Sequence, residues 1–127
     1  MTKSVLLSLI LISSAMGEVK WASSYTAALS QAAKEKKNVM VMLSKEDCPA
    51  CEYMESVVFE EGVVETTIAK NFVAVHLDIH NNTLPAGMGY IGTPTFYFLN
   101  AKGEKVKRYD GAANIPTFMG VLNSAKK

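Results

Sequence analysis

The chain has 127 residues, of which 49% are hydrophobic, 20% charged and 9% aromatic. That is a globular composition, too apolar and too weakly charged for disorder, and its length predicts one domain. Its 13 basic and 12 acidic side chains leave a formal charge of +1, which argues against nucleic acid as a partner because phosphate binding shows as a basic excess.

The N-terminus carries the longest apolar run. Lys3 supplies a positive segment, Val5 to Ile12 an apolar one, and Ala15-Met16-Gly17 the small residues of a peptidase site. Residues 1–17 read as a secretory signal peptide cut after Gly17. The alternative is an uncleaved anchor, but the run is too short to cross about 30 Å of hydrocarbon at about 1.5 Å per residue. No cysteine lies near the cut to carry a lipid. The expected product is a single domain, residues 18–127, located in the periplasm or secreted. A domain of that size buries roughly 65% of its unfolded surface and needs no disulfide staple.

A first helix is predicted over 23–37, where Tyr25, Ala28, Leu29, Ala32 and Ala33 form one apolar stripe. Ser23 or Ser24 can cap its start. Val39 to Leu43 is a continuous apolar run, the pattern of a parallel strand buried on both faces. A helix follows from about Pro49 to Phe59, with Pro49 in the first turn where its missing N–H costs nothing. A second short helix is predicted from Val63 to Lys70, and a strand from Phe72 to Ile79. Residues 80–93 read as a loop of turn formers. Thr95 to Leu99 and Glu104 to Tyr109 form a hairpin around Ala101-Lys102-Gly103, and a last helix spans Ile115 to Ala125. A parallel pair joined by a helix, then an antiparallel hairpin, predicts an α/β fold. Its mixed sheet has four strands, or five, with helices on both faces.

Cys48-Pro49-Ala50-Cys51 is the strongest chemical signal. Spacing of three at a helix start brings two sulfurs within disulfide reach. The helix terminus favours a thiolate. Cys48, at the mouth of the turn, is the more exposed candidate, and Cys51 lies one turn in. That asymmetry suits dithiol exchange: Cys48 attacks, a mixed disulfide forms, and Cys51 displaces it. A structural disulfide is the bland alternative, although so short a loop removes little chain entropy. A metal site is the other. His76 and His80 complete a Cys-x2-Cys…His-x3-His list, but the middle spacer is long for zinc. Four residues of strand also span roughly 13 Å, so the two rings cannot share an ion unless the chain folds back. His76 reads as a sheet residue with a hydrogen-bonded ring, and His80 as a surface residue. Met40, Met42 and Met54 read as core. Met88 reads as exposed, close enough to touch substrate or, less plainly, copper. Trp21 is expected to pack the first helix onto the sheet.

Together with Ile91-Gly92-Thr93-Pro94-Thr95-Phe96-Tyr97-Phe98 before a hairpin containing Gly103 and Gly111, the Cys48–Cys51 motif resembles the thioredoxin superfamily. The opening Trp21…Tyr25-x2-Ala28-Leu29-x2-Ala32, then Lys37-Asn38-Val39-Met40-Val41, looks like exported thioredoxin-like proteins of bacteria. The resemblance covers residues 18–127. It implies a cis Pro94 facing the dithiol and a Thr93 backbone that pairs with substrate as an added strand. Pro49 and Ala50, between the cysteines, join Thr93 and Pro94 as implied substrate-binding positions. Thr93 here is similar to exported isomerases and reductant-chain proteins.

The chain also departs from the family. Asp47 stands where thioredoxins have tryptophan, so part of the substrate platform is missing. Met42 occupies the place, six residues before the first cysteine, of a buried acid that helps deprotonate the second, and it cannot move a proton. The helix before the cis-proline strand is reduced to the loop around Leu84–Tyr90. Glu46, Asp47, Glu52 and Glu55 oppose the thiolate, with only Lys45 against them. As a solvated helix start they need no tuning role.

The expected function is that of an exported protein-disulfide oxidoreductase of cell redox homeostasis, a reductase or isomerase rather than a strong oxidant. Cys48 and Cys51 are its catalytic pair. No cofactor or metal is expected. Partners are protein thiols and disulfides and a membrane-bound or soluble recharging protein, and the chain is expected to be a monomer. The alternatives are a binding or chaperone module with a structural disulfide, and a metal carrier using the cysteine pair.

Overall fold

The computed structural model describes residues 18–127. The expected signal segment, residues 1–17, lies outside the described residues. Helix α1 spans Tyr25–Glu35; Ser24 caps it, its hydroxyl oxygen accepting from the Ala27 N–H at 3.0 Å. Lys36 ends it in the left-handed region. Strand β1 follows at Asn38–Ser44, α2 at Pro49–Tyr53, and a π-helical turn at Met54–Val58 continues α2. The predicted helix from Pro49 to Phe59 is therefore one element with a wider second half. Helix α3 (Gly62–Asn71) runs into β2 (Phe72–Asp78). After a loop come β3 (Thr95–Leu99), β4 (Lys105–Asp110) and α4 (Ile115–Ala125).

The sheet has four strands in the order β2-β1-β3-β4. β1 pairs parallel with β2 and antiparallel with β3, and β3 pairs antiparallel with β4. A single bridge from Trp21 to Ala74 adds the start of a fifth row. The hairpin between β3 and β4 turns at Asn100, whose Oδ1 accepts from the N–H groups of Lys102 and Glu104, both at 3.0 Å. Gly103 supplies the φ of +82° that the turn needs.

Period-2 alternation sorts β1 to both faces, as buried parallel strands require. Val39, Val41 and Leu43 join Val73, Val75, Tyr97 and Leu99 under α1. Met40 and Met42 join Phe96, Phe98 and Phe118 under α2, α3 and α4. Met54 lies in this second core too, so all three methionines expected as core are there.

Two expectations are overturned. Trp21 does not pack α1 onto the sheet. Its ring lies on the other face, with centroids 5.7 Å from Phe59 and 5.4 Å from His76, because its backbone pairs beside Ala74 and so shares that residue's side. Met88 is not exposed. It is buried against the α1 core, with half-buried Leu84 packed beside that core, where the loop covers sheet surface that one short helix leaves open.

Candidate dithiol site

The site forms where β1 stops. Ser44 ends the strand, and Asp47 adopts φ +53°, a left-handed conformation in which aspartate is enriched among non-glycine residues. This reversal delivers Cys48 as the N-cap of α2. Cys48 and Cys51 are joined as a disulfide, with Cα atoms 5.2 Å apart. The expected contrast in exposure is small: Cys48 is 5% and Cys51 3% exposed. The difference between the sulfurs lies in their neighbours instead.

Two donors point at Cys48 Sγ. The Cys51 N–H lies at 3.1 Å and the Thr93 hydroxyl at 3.2 Å. The Thr93 carbonyl oxygen is 3.6 Å from the same sulfur. Donors aimed at a sulfur favour its negative form. Thr93 therefore lies against the dithiol, and its peptide bond to Pro94 is cis. Pro94 is buried, and its carbonyl accepts from the Gly111 N–H at 2.8 Å, which ties the segment to the end of β4. Pro49 is exposed and Ala50 half-buried on the helix side of the same rim. Ile91, two residues before Thr93, is 93% exposed.

On the other side of the cysteines an open cleft of about 400 Å³ is lined by Cys48, Cys51, Glu52, Glu55, Ser44 and His76, among others. His76 is a strand residue with a bonded ring, as the sequence predicts: Nε2 pairs with the Ser44 hydroxyl. Its Nδ1 is 3.7 Å from Glu55 Oε1. Its place beside the dithiol was missed by sequence reasoning. The available signal was alternation, which puts His76 on the face of Phe72 and Ala74. His80 is an exposed loop residue. Among the described residues no group of three or more histidine, cysteine or acidic side chains is placed to hold a metal ion. No helix among them is long and apolar enough to cross a membrane.

The family model for the thioredoxin-like domain matches residues 25–126. Among solved structures, the chain is 28% identical to a thioredoxin from Thermus thermophilus, over 84% of this chain and 85% of that one, with a TM-score of 0.70. It is 26% identical to a candidate disulphide-isomerase from Bacteroides thetaiotaomicron, over 85% and 93% of the two chains, with a TM-score of 0.75. It shares its fold with a DsbH oxidoreductase at 19% identity, 88% coverage of each chain and a TM-score of 0.67. No curated protein matches the chain. With its four-stranded mixed sheet, its helices on both faces and a family match over most of its length, the chain belongs to the thioredoxin-like domain family.

Proposed function

We propose that the protein is an exported thiol–disulfide oxidoreductase acting on protein substrates, as a reductase or isomerase rather than a strong oxidant. The observation that carries this reading is the pair of donors on Cys48 Sγ, from the Cys51 N–H and the Thr93 hydroxyl. A sulfur so placed is the better leaving group of the disulfide and the better nucleophile of the dithiol. Cys48 attacks a substrate disulfide and forms a mixed disulfide. Cys51 then attacks Cys48 Sγ, the intramolecular disulfide closes, and the substrate leaves reduced by two electrons. A substrate strand docks along Thr93-Pro94, with Pro49 and Ala50 on the opposite rim. The acidic residues near the site oppose a very stable thiolate, which supports a reducing or isomerising role over strong oxidation. The recharging partner is a second thiol protein, membrane-bound or soluble, and the catalytic unit is a monomer without a cofactor.

Insulin reduction by the protein with dithiothreitol tests the chemistry. Activity should be present and should fall to background in Cys48→Ser; activity retained without Cys48 overturns the reading. Export is tested separately by N-terminal sequencing of the protein from its native host. The expected first residue is Glu18, and an intact Met1 would replace cleavage with retention.

A further inference from the structure

We propose that the end of the molecule opposite the dithiol docks on an anionic lipid surface and leaves Cys48 facing away from it. This goes beyond the redox reading and does not depend on turnover at the cysteines. The formal charge of +1 for the whole chain conceals a sorting of charge along the sheet. Register fixes the two ends. Asn38 lies opposite Phe72, Val39 opposite Leu99, and Leu99 opposite Lys105, which makes one end. Ser44 lies opposite Asp78, Leu43 opposite Thr95, and Thr95 opposite Asp110, which makes the other, where the dithiol sits. The 7 residues of β1 separate them by roughly 20 Å at about 3.3 Å per residue.

Six exposed lysines collect at the first end. Lys34 and Lys36 close α1, and Lys70 lies in the last turn of α3, just before Phe72. Lys102 is in the turn between β3 and β4. Lys126 and Lys127 follow α4, whose end is held there by the Asn38 amide donating to the Ala125 carbonyl at 2.9 Å. Lys37 has a structural role instead: its ammonium donates to the Ala69 carbonyl at 2.9 Å and lies 3.8 Å from Glu35. None of the six is in an ion pair among the described residues. Glu35, Glu65 and Glu104 are the acidic residues nearest Lys34, Lys36, Lys70 and Lys102 in the chain. Complementing the negative ends of three helices takes only about half a charge each, so a positive surplus remains. The dithiol end has the opposite sign, with Glu46, Asp47, Glu52 and Asp78 around Lys45.

Lysine carries a hydrated point charge on a flexible stem and lacks the planar fork that pairs bidentately with carboxylates. Six of them, with no arginine among them, on the ends of separate elements make a diffuse field. Such a field suits a layer of lipid phosphates better than fixed pairing with an acidic protein. The two poles lie further apart than the Debye length of about 10 Å at about 0.1 M salt. The basic end is therefore drawn to the lipid while the acidic end, with the dithiol, turns outward.

The test is sedimentation of the protein, purified from its native host after export, with vesicles of phosphatidylglycerol and phosphatidylethanolamine. Vesicles of phosphatidylcholine are the comparison. The protein should pellet with the anionic vesicles at about 0.05 M salt, come off at about 0.5 M salt, and leave the neutral vesicles bare. Lys102→Gln should weaken binding about fivefold, and Lys45→Gln, the same charge loss at the other pole, less than about twofold. Combining Lys102→Gln with Lys126→Gln and Lys127→Gln should cost more than about tenfold. Equal binding to neutral vesicles, or equal losses in the two single variants, overturns the proposal. Release by inorganic phosphate beyond that by chloride at matched ionic strength would make the ligand a free anion and overturns it too. Tighter retention on immobilised polyglutamate than on anionic vesicles does the same in favour of an acidic protein. Orientation is read by iodoacetamide labelling of Cys48 in the reduced protein. The rate should be the same with and without anionic vesicles, and protection of Cys48 by them overturns the outward-facing dithiol.

Discussion

Met42 and His76 are register partners on β1 and β2, so their side chains leave the sheet on the same side. Met42 is fully buried in the core that contains both cysteines, while the His76 side chain is 34% exposed at the cleft edge. The thioether therefore shares the core that contains the dithiol, and the imidazole sits one strand further out, within reach of solvent. Burying an unpaired charge at the Met42 position would carry a desolvation cost of several kcal/mol.

Cysteine order follows from the donors on Cys48 Sγ. In the reduced protein, limiting iodoacetamide should label Cys48 first, and peptide mapping reads the site. Cys51→Ser should accumulate mixed disulfides with substrate proteins, seen as reductant-sensitive bands, whereas Cys48→Ser should trap almost none. Faster labelling of Cys51 would reverse the assignment.

Thr93→Val removes one of those two donors and keeps the side chain's volume and branching. The hydroxyl favours the thiolate, so its loss shifts Cys48 toward the thiol. A hydrogen bond of about 1 kcal/mol corresponds to about a fivefold loss of thiolate. Alkylation of Cys48 should slow by that factor near pH 6 and approach the wild-type rate at high pH, where both proteins are fully ionised. A wild-type rate at pH 6 would mean that Cys51 N–H alone stabilises the sulfur.

Much of the fold was legible because its signals are local. The apolar run at Val39–Leu43, the proline at the head of α2 and the turn at Gly103 each carry their own physical cause. Helix α4 was bounded at Ile115 and Ala125, as observed. Contacts that depend on register were not legible. Nothing in the sequence around His76 says that it faces Glu55 and Ser44, because that depends on how β2 slides against β1 and where α2 crosses the sheet. Met88 was misread for a related reason. A turn-rich loop is ordinarily exposed, but here the loop covers part of the sheet face that α1 leaves open. Trp21 was placed on the wrong side because one isolated bridge sets its direction. The Cys48–Thr93 contact joins residues far apart in the chain, and the family resemblance implied only that the neighbouring Pro94 faces the dithiol.

Phe96 ties the site to the core. It is fully buried on β3, just after Thr95, and its ring centroid lies 5.0 Å from Phe118 and 6.2 Å from Phe59. Phe96→Ala removes a large side chain where strand and helices are already packed. The expected loss is about 3–5 kcal/mol, a large share of a domain's usual stability of about 5–15 kcal/mol. Denaturant unfolding should show the midpoint falling sharply. A loss under about 1 kcal/mol would mean that the surrounding side chains collapse into the space.

Ile91 is the most exposed large apolar side chain of the described protein, at 93%, and it precedes the Thr93-Pro94 segment beside Cys48. Exposure of that degree contributes almost nothing to folding, so Ile91→Ser should leave unfolding midpoints within about 0.5 kcal/mol of wild type. A docked polypeptide would cover the side chain, whereas a small aromatic disulfide reaching only Cys48 would not. Partial burial of an isoleucine is worth about 1 kcal/mol, or about fivefold in binding. Insulin reduction by Ile91→Ser should therefore show a KM raised about fivefold with kcat little changed, while exchange with the small disulfide stays at the wild-type rate. Equal loss on both substrates would place the effect at the sulfur, and no loss on either would remove Ile91 from the docking edge.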